Sequence, residues 1–132
     1  MPSGQERREY ERLKRAFTVV LRRFEFPLAS QQRIELRCRN ISAGGILIDC
    51  PVRFQQGELV EATITIPSLN KFHPGFFKVF ENDAEQNLVA VAEVVRSVER
   101  VPGVSHELGI RFKDVYEDDW KALQAMIRKF TE

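Results

Sequence analysis

The chain contains short runs in which apolar and polar residues alternate, and this pattern restricts the folds it can adopt. In residues 33–40 the apolar positions Ile34, Leu36 and Cys38 are separated by charged ones, and residues 58–66 alternate in the same way. Side chains on a strand point to opposite faces in turn, so each run predicts a strand with one buried and one solvated face. Such strands need partners and a shared core, which favours a small antiparallel β structure.

Further runs rich in β-branched and aromatic residues are separated by turn-forming residues such as proline, glycine and asparagine. They lie at residues 16–24, 46–50, 76–80, 88–101 and 106–112. The period changes after Asp114, where acidic residues suited to a helix N-terminus are followed by apolar residues at helical spacing. These are Trp120, Leu123, Met126, Ile127 and Phe130. We therefore predict a mainly β fold, a small antiparallel barrel of six to seven strands with a C-terminal amphipathic α-helix at residues 115–131.

Composition supports a single domain, and the small net charge gives no sign that the whole molecule is attracted to a strongly charged partner. The chain has 132 residues, of which 43% are hydrophobic and 30% charged, and a net charge of +1. These values fit one globular unit with its own core, with no global attraction to nucleic acid or to a membrane surface. There is no apolar run of membrane-spanning length and no signal peptide, so we expect a cytoplasmic protein.

Positive charge is concentrated at the start of the chain. Residues 1–15 are polar, without apolar periodicity, and carry Arg7, Arg8 and Arg12 among other cations. We interpret residues 1–15 as a flexible basic arm and residues 16–132 as the barrel domain with its helix.

Two short motifs stand out against this plan. Arg8 and Arg12 are four positions apart on the basic arm, and Asn40, Ser42 and Gly45 occupy a hairpin between two predicted strands. In this order and spacing they resemble the R-x-x-x-R and D/N-x-S-x-x-G signature of the PilZ family. The likeness extends over nearly the whole chain.

The resemblance implies a PilZ-like barrel that binds the second messenger cyclic di-GMP and passes the signal on by conformational change or protein–protein contact. The chemistry fits, because the arginine fork matches phosphate oxygens and the guanine edge, and an asparagine amide both donates and accepts. A serine hydroxyl can bind a base or a phosphate, and a glycine allows close approach of a ligand. The candidate ligand-binding residues are Arg7, Arg8, Arg12, Asn40, Ser42 and Gly45.

The sequence gives no reason to expect an enzyme, a metal site or a cofactor. Ser42 does not lie in a G-x-S-x-G nucleophile motif, since position 40 is asparagine. His73 and His106 are far apart in sequence, without other metal ligands at suitable spacing. Cys38 and Cys50 fall on inward faces of neighbouring strands and could face each other, but we expect free buried thiols.

An aromatic and lysine-rich stretch leaves a second function open. Residues 71–80 interleave lysines with phenylalanines, as surfaces that stack nucleic-acid bases do. The chain lacks the strand and helix order of the corresponding RNA-binding fold, so we expect no nucleic-acid partner. The alternative is a PilZ-like adaptor with weak or lost nucleotide binding, which would contact an unknown downstream protein around Phe72, Phe76 and Phe77. A monomer and a dimer are both compatible with the sequence.

Overall fold

Antiparallel strands form more than half of the described structure, and one helix follows them. In the computed structural model, which describes residues 10–67, 69–72 and 85–131, there are seven strands and a C-terminal helix. The strands are β1 Arg12–Leu13, β2 Thr18–Arg23, β3 Ile34–Ser42, β4 Gly45–Cys50, β5 Leu59–Pro67, β6 Glu85–Val101 and β7 Ser105–Val115. The helix α1 spans Glu117–Thr131, and a short 3-10 helix spans Leu69–Phe72.

Six of the strands close into a barrel. The strand order is β1-β3-β2-β5-β6-β7-β4. A further pairing between β4 and β3 closes the six strands from β3 to β4 into a ring and leaves β1 outside it. The two-residue β1 is the extra strand, paired with the end of β3 through Arg12–Ser42 and Leu13–Ile41. The mainly β barrel with a C-terminal helix that the sequence predicts is confirmed.

The barrel interior is filled by the apolar members of the alternating runs. Val60, Ala62, Ile64 and Ile66 of β5 are fully buried, as the alternation predicts. The helix closes the core by burying the side chains of Ala122, Leu123, Met126 and Ile127. Its acidic first turn and basic last turn complement the helix dipole. Among the described residues, no helix is long and apolar enough to cross a membrane.

Several boundaries differ from those predicted from the sequence. Within the interval assigned to the arm, Arg12–Leu13 form β1, and Leu13 is buried in the core with 7% of its surface exposed. A single apolar residue carries no periodicity, so the sequence pattern could not reveal this contact. The helix begins at Glu117 rather than at residue 115, because β7 continues to Val115. The strand predicted at residues 76–80 lies outside the described residues.

Candidate ligand-binding groove

An open groove of about 780 Å³ lies on the outer face of the barrel, where the β3–β4 hairpin, β7 and the start of α1 meet. Four of the predicted site residues line it: Arg12, Asn40, Ser42 and Gly45. Residues from two distant parts of the sequence are thus brought together in one cavity. Arg7 and Arg8 lie outside the described residues.

A β-bulge brings Asn40 onto the groove side. Simple alternation from Cys38, which points inward, would turn Asn40 inward as well. The register between β3 and β4 shifts between Cys38 and Asn40, so Arg39 is an extra residue and both Arg39 and Asn40 face outward. Ile41 then returns to the core, and Ser42 joins Asn40 on the outer face. Within the part of the chain that the structure describes, the Asn40 amide has no hydrogen-bond partner, so it is available to a ligand.

The turn after Ser42 is fixed by the Ser42 hydroxyl and by close backbone contacts. The Ser42 hydroxyl accepts a hydrogen bond from the Gly44 N–H at 3.1 Å, and the Gly44 carbonyl accepts one from the Phe112 N–H at 2.9 Å. A Cβ on Gly45 would lie 1.9 Å from the Ile110 carbonyl oxygen of β7. Gly45 is therefore required by the close approach of β4 and β7, a reason distinct from the ligand approach expected from the sequence.

Two aromatic residues that the sequence analysis did not place in the site pack against this turn. The indole N–H of Trp120 donates to the Ala43 carbonyl at 2.7 Å. The Tyr10 ring meets the Trp120 ring edge-on, with 6.2 Å between centroids. A Cβ on Gly44 would come within 2.9 Å of the Tyr10 ring, so glycine leaves room for it. The hairpin, the N-terminal segment and α1 are in this way joined in one contact cluster.

The segment before β2 is also attached to the end of α1. The Thr131 hydroxyl donates to the Glu11 carboxylate, and the Arg15 guanidinium lies 4.2 Å from the centroid of the Phe130 ring.

Phe130 packs edge-on against Phe72 at 6.3 Å rather than being buried, and 44% of its surface is exposed. Of the aromatic surface considered for a protein partner, Phe72 is half-buried against the core. Phe76 and Phe77 lie outside the described residues.

The charge around the groove is predominantly positive. Arg12, Arg96, Arg111 and Lys113 line it, and Glu117 is the acidic residue among the described lining residues. Glu93, beside the groove, lies 3.0 Å from Arg111 and 3.5 Å from Lys113 and offsets part of their charge. The excess of cations favours an anionic ligand.

Next to the groove, one carboxylate forms ion pairs with three arginines. Glu107 of β7 is buried, with 5% of its side chain exposed. Arg39 donates to its Oε2 at 2.5 Å and Arg100 to its Oε1 at 2.7 Å, and Arg96 lies 3.1 Å from Oε1. The hydrogen bond from Arg100, helped by the charges of Arg100 and Arg96, lowers the pKa of Glu107 despite its burial. This group, the Glu107 cluster, was missed because its members lie on three strands and Arg39 is 68 positions from Glu107.

The two cysteines lie away from the groove surface. Cys38 and Cys50 are buried and have free thiols. Burial raises the pKa of both thiols, which disfavours the reactive thiolate. Their role in the structure is to fill the core as small apolar side chains.

Comparison with known proteins places these features in a family. The sequence matches the profile of the PilZ domain over residues 6–129. A comparison with curated protein sequences gives no match.

Solved structures share the fold. MotI/DgrA, an inhibitor of motility from Bacillus subtilis, has a TM-score of 0.72 at 20% identity, and the match covers 99% of this chain and 56% of that one. The PilZ domain of YcgR from Escherichia coli, solved with c-di-GMP, has a TM-score of 0.58 at 16% identity, covering 95% and 92%. The MrkH–c-di-GMP complex of K. pneumonia has a TM-score of 0.58 at 14% identity, covering 94% and 51%. This chain thus spans about half the length of MotI and MrkH.

Proposed function

Because the chain belongs to the PilZ domain family, we propose that it is a bacterial second-messenger receptor that binds cyclic di-GMP in the groove. The observation that carries the proposal is the meeting of Arg12, Asn40 and Ser42 in one basic cavity. Structures of YcgR and MrkH with c-di-GMP provide precedent for this ligand on the same fold. We propose no catalytic role for the groove.

The size and charge of the groove support a nucleotide ligand. Its volume of about 780 Å³ falls within the range of roughly 300–1,000 Å³ usual for small-molecule sites. Cyclic di-GMP carries two phosphates, which match the cationic lining, and two guanines, which offer edges to amide and guanidinium groups.

Each motif residue has a distinct proposed part. Arg12 supplies a charged fork for a phosphate or a guanine edge, and Asn40 offers its unoccupied amide to a base. Ser42 and Gly45 act chiefly by fixing the turn that presents Asn40. Arg7 and Arg8 are proposed as further contacts, because Arg8 precedes Tyr10, a residue that lines the groove, by two positions in the sequence.

The contacts around Trp120 offer a route for the signal. Tyr10 precedes Arg12 by two residues and packs on Trp120, which is hydrogen-bonded to the hairpin at Ala43. A ligand that draws Arg12 toward Asn40 would therefore change the packing at the start of α1. We propose that this change is passed on through a protein–protein contact or a conformational change, in a cytoplasmic protein. The adaptor alternative has one supporting observation, the TM-score of 0.72 with MotI, an inhibitor of motility.

Trp120 provides the direct test, because it is the sole tryptophan of the chain. We expect its fluorescence to change saturably with added cyclic di-GMP and the melting temperature to rise. Cyclic di-AMP is the matched control, since adenine lacks the guanine O6 acceptor. Equal responses to both nucleotides would contradict the proposal. So would no response to either nucleotide at a ligand concentration about a hundred times the expected micromolar Kd.

A further inference from the structure

Beside the groove lies a second set of cations that the two sequence motifs do not contain, and one of them, Arg96, also lines the groove. Arg96 of β6 lines the groove and is at the same time a member of the Glu107 cluster. Arg39 and Arg100 complete the cluster from β3 and β6. One buried carboxylate thus connects the groove wall with neighbouring parts of the barrel surface.

The backbone directs Arg96 toward the groove. The register between β6 and β7 shifts between Val94 and Arg96, so Val95 and Arg96 both face outward and both line the groove. Arg96 pairs with Gly109, where a Cβ would lie 3.2 Å from the Arg96 Cβ. The glycine leaves space beside the base of the Arg96 side chain, which can then extend toward Glu107.

The cluster keeps an excess of positive charge. Glu107 contributes one negative charge against three guanidinium groups, and Asp49 lies 3.6 Å from Arg39 as a second, weaker counter-ion. About half of each arginine side chain remains exposed, at 51%, 56% and 50% for Arg39, Arg96 and Arg100. The arginines are therefore held in place while their outer N–H groups still face solvent and can reach a ligand.

We propose that Glu107 is a positioning residue for the ligand site, which holds the Arg96 guanidinium at the groove wall where it contacts the bound nucleotide. This inference rests on the proposed function. In the absence of Glu107, three neighbouring guanidinium groups repel one another and each regains rotamer freedom, so Arg96 loses its fixed position.

A simple charge effect has the opposite sign. Replacing the Glu107 carboxylate by a neutral amide makes the groove wall more positive, which by itself strengthens the binding of an anion. Positioning predicts weaker binding in the same variant. The direction of the change in affinity therefore separates the two explanations.

The test is a double-mutant cycle measured by titration with cyclic di-GMP. Glu107→Gln and Arg96→Ala are each expected to weaken binding about tenfold, as loss of one charge-assisted contact does. Adding Glu107→Gln to Arg96→Ala should change affinity by less than about twofold, since the residue that Glu107 positions is already gone. Glu61→Gln is the matched control, because Glu61 pairs with Arg22 at 2.8 Å and does not line the groove.

Several results would overturn the inference. Unchanged or tighter binding by Glu107→Gln, or full additivity of the two losses, contradicts it. If Glu107→Gln does not fold, Glu107→Asp keeps the charge on a shorter side chain and should lose less affinity for cyclic di-GMP. In protein that already carries Arg96→Ala, Glu107→Asp should cause no further loss of affinity. Wild-type protein that does not bind contradicts the proposed function, and the inference with it. Wild-type binding that Arg96→Ala leaves intact contradicts the inference alone.

Discussion

The hairpin at Asn40–Gly45 and the Glu107 cluster lie on the same outer face but are fixed by different forces. The hairpin is set by backbone contacts, with the Gly45 position packed against the Ile110 carbonyl and the Gly44 carbonyl bonded to Phe112. The Glu107 cluster is set by charge, through ion pairs of 2.5–3.1 Å around one carboxylate. The hairpin should therefore respond to steric changes, and the cluster to pH and to changes of charge.

The largest expected effect comes from adding one methyl group to the hairpin. In Gly45→Ala the new Cβ would lie 1.9 Å from a backbone oxygen, which cannot move without separating β4 from β7. We expect a loss of about 3 kcal/mol or more in the free energy of unfolding, at the upper end for overpacking. Gly109→Ala is the matched control, because its Cβ meets a side chain at 3.2 Å and should cost well under half as much. Urea denaturation of both variants measures the difference, and equal losses would contradict it.

The next effect concerns binding rather than folding. Arg12→Ala removes a charged contact proposed for the ligand and leaves Leu13 in the core. We expect a loss of about 1.5–3 kcal/mol in binding, roughly ten- to a hundredfold in Kd. Calorimetric titration gives the value, with Arg53→Ala as a control outside the groove. Equal losses in both variants would mean that general charge, not the site, determines affinity.

Ser42→Ala sharpens the assignment of Ser42 to the turn. The substitution removes the acceptor for the Gly44 N–H at 3.1 Å, so we expect about 0.5–1.5 kcal/mol of lost stability. Binding should weaken less than in Arg12→Ala, because the contact is neutral. A loss of affinity as large as that of Arg12→Ala, with stability unchanged, would instead make Ser42 a main ligand contact.

The smallest expected effect is the pH response of the Glu107 cluster, since its half-exposed arginines are well hydrated. The pKa of Glu107 is lowered in the folded protein from its ordinary 4.5, so ionised Glu107 stabilises the fold above that value. The contribution is lost as the pH falls below 4.5 through the folded-state pKa. Melting temperatures of wild type and Glu107→Gln should keep a constant difference from about pH 7 to 5.5 and converge in acid. A difference independent of pH throughout would contradict this.

The sequence predicted the fold well because strand alternation and helical spacing are local patterns. The apolar positions of β5 and the buried face of α1 follow directly from them. The motif residues Arg12, Asn40, Ser42 and Gly45 could be named because each motif lies within a few consecutive positions. These residues come together in one groove because β1 pairs with β3. The sequence gives no periodic signal for β1, since Leu13 is its single buried residue.

Other features of the site were beyond a linear pattern. After the bulges at Arg39 and Val95, each following side chain lies on the face of the sheet opposite to the one that strict alternation predicts. Glu107 meets Arg39 across 68 positions of sequence, so no motif connects them. The contact of Trp120 with Ala43 likewise requires the helix to be docked on the barrel.

The central claim is that the groove binds cyclic di-GMP through residues of both motifs. Calorimetric titration of the wild-type protein, of Arg12→Ala and of Asn40→Ala tests it most directly. The account predicts saturable heat for the wild type with a Kd near micromolar, about −8 kcal/mol, and clearly weaker binding in both variants. Absence of heat from the wild type, together with an unchanged melting temperature at high ligand concentration, would contradict the claim, as would equal affinity in all three proteins.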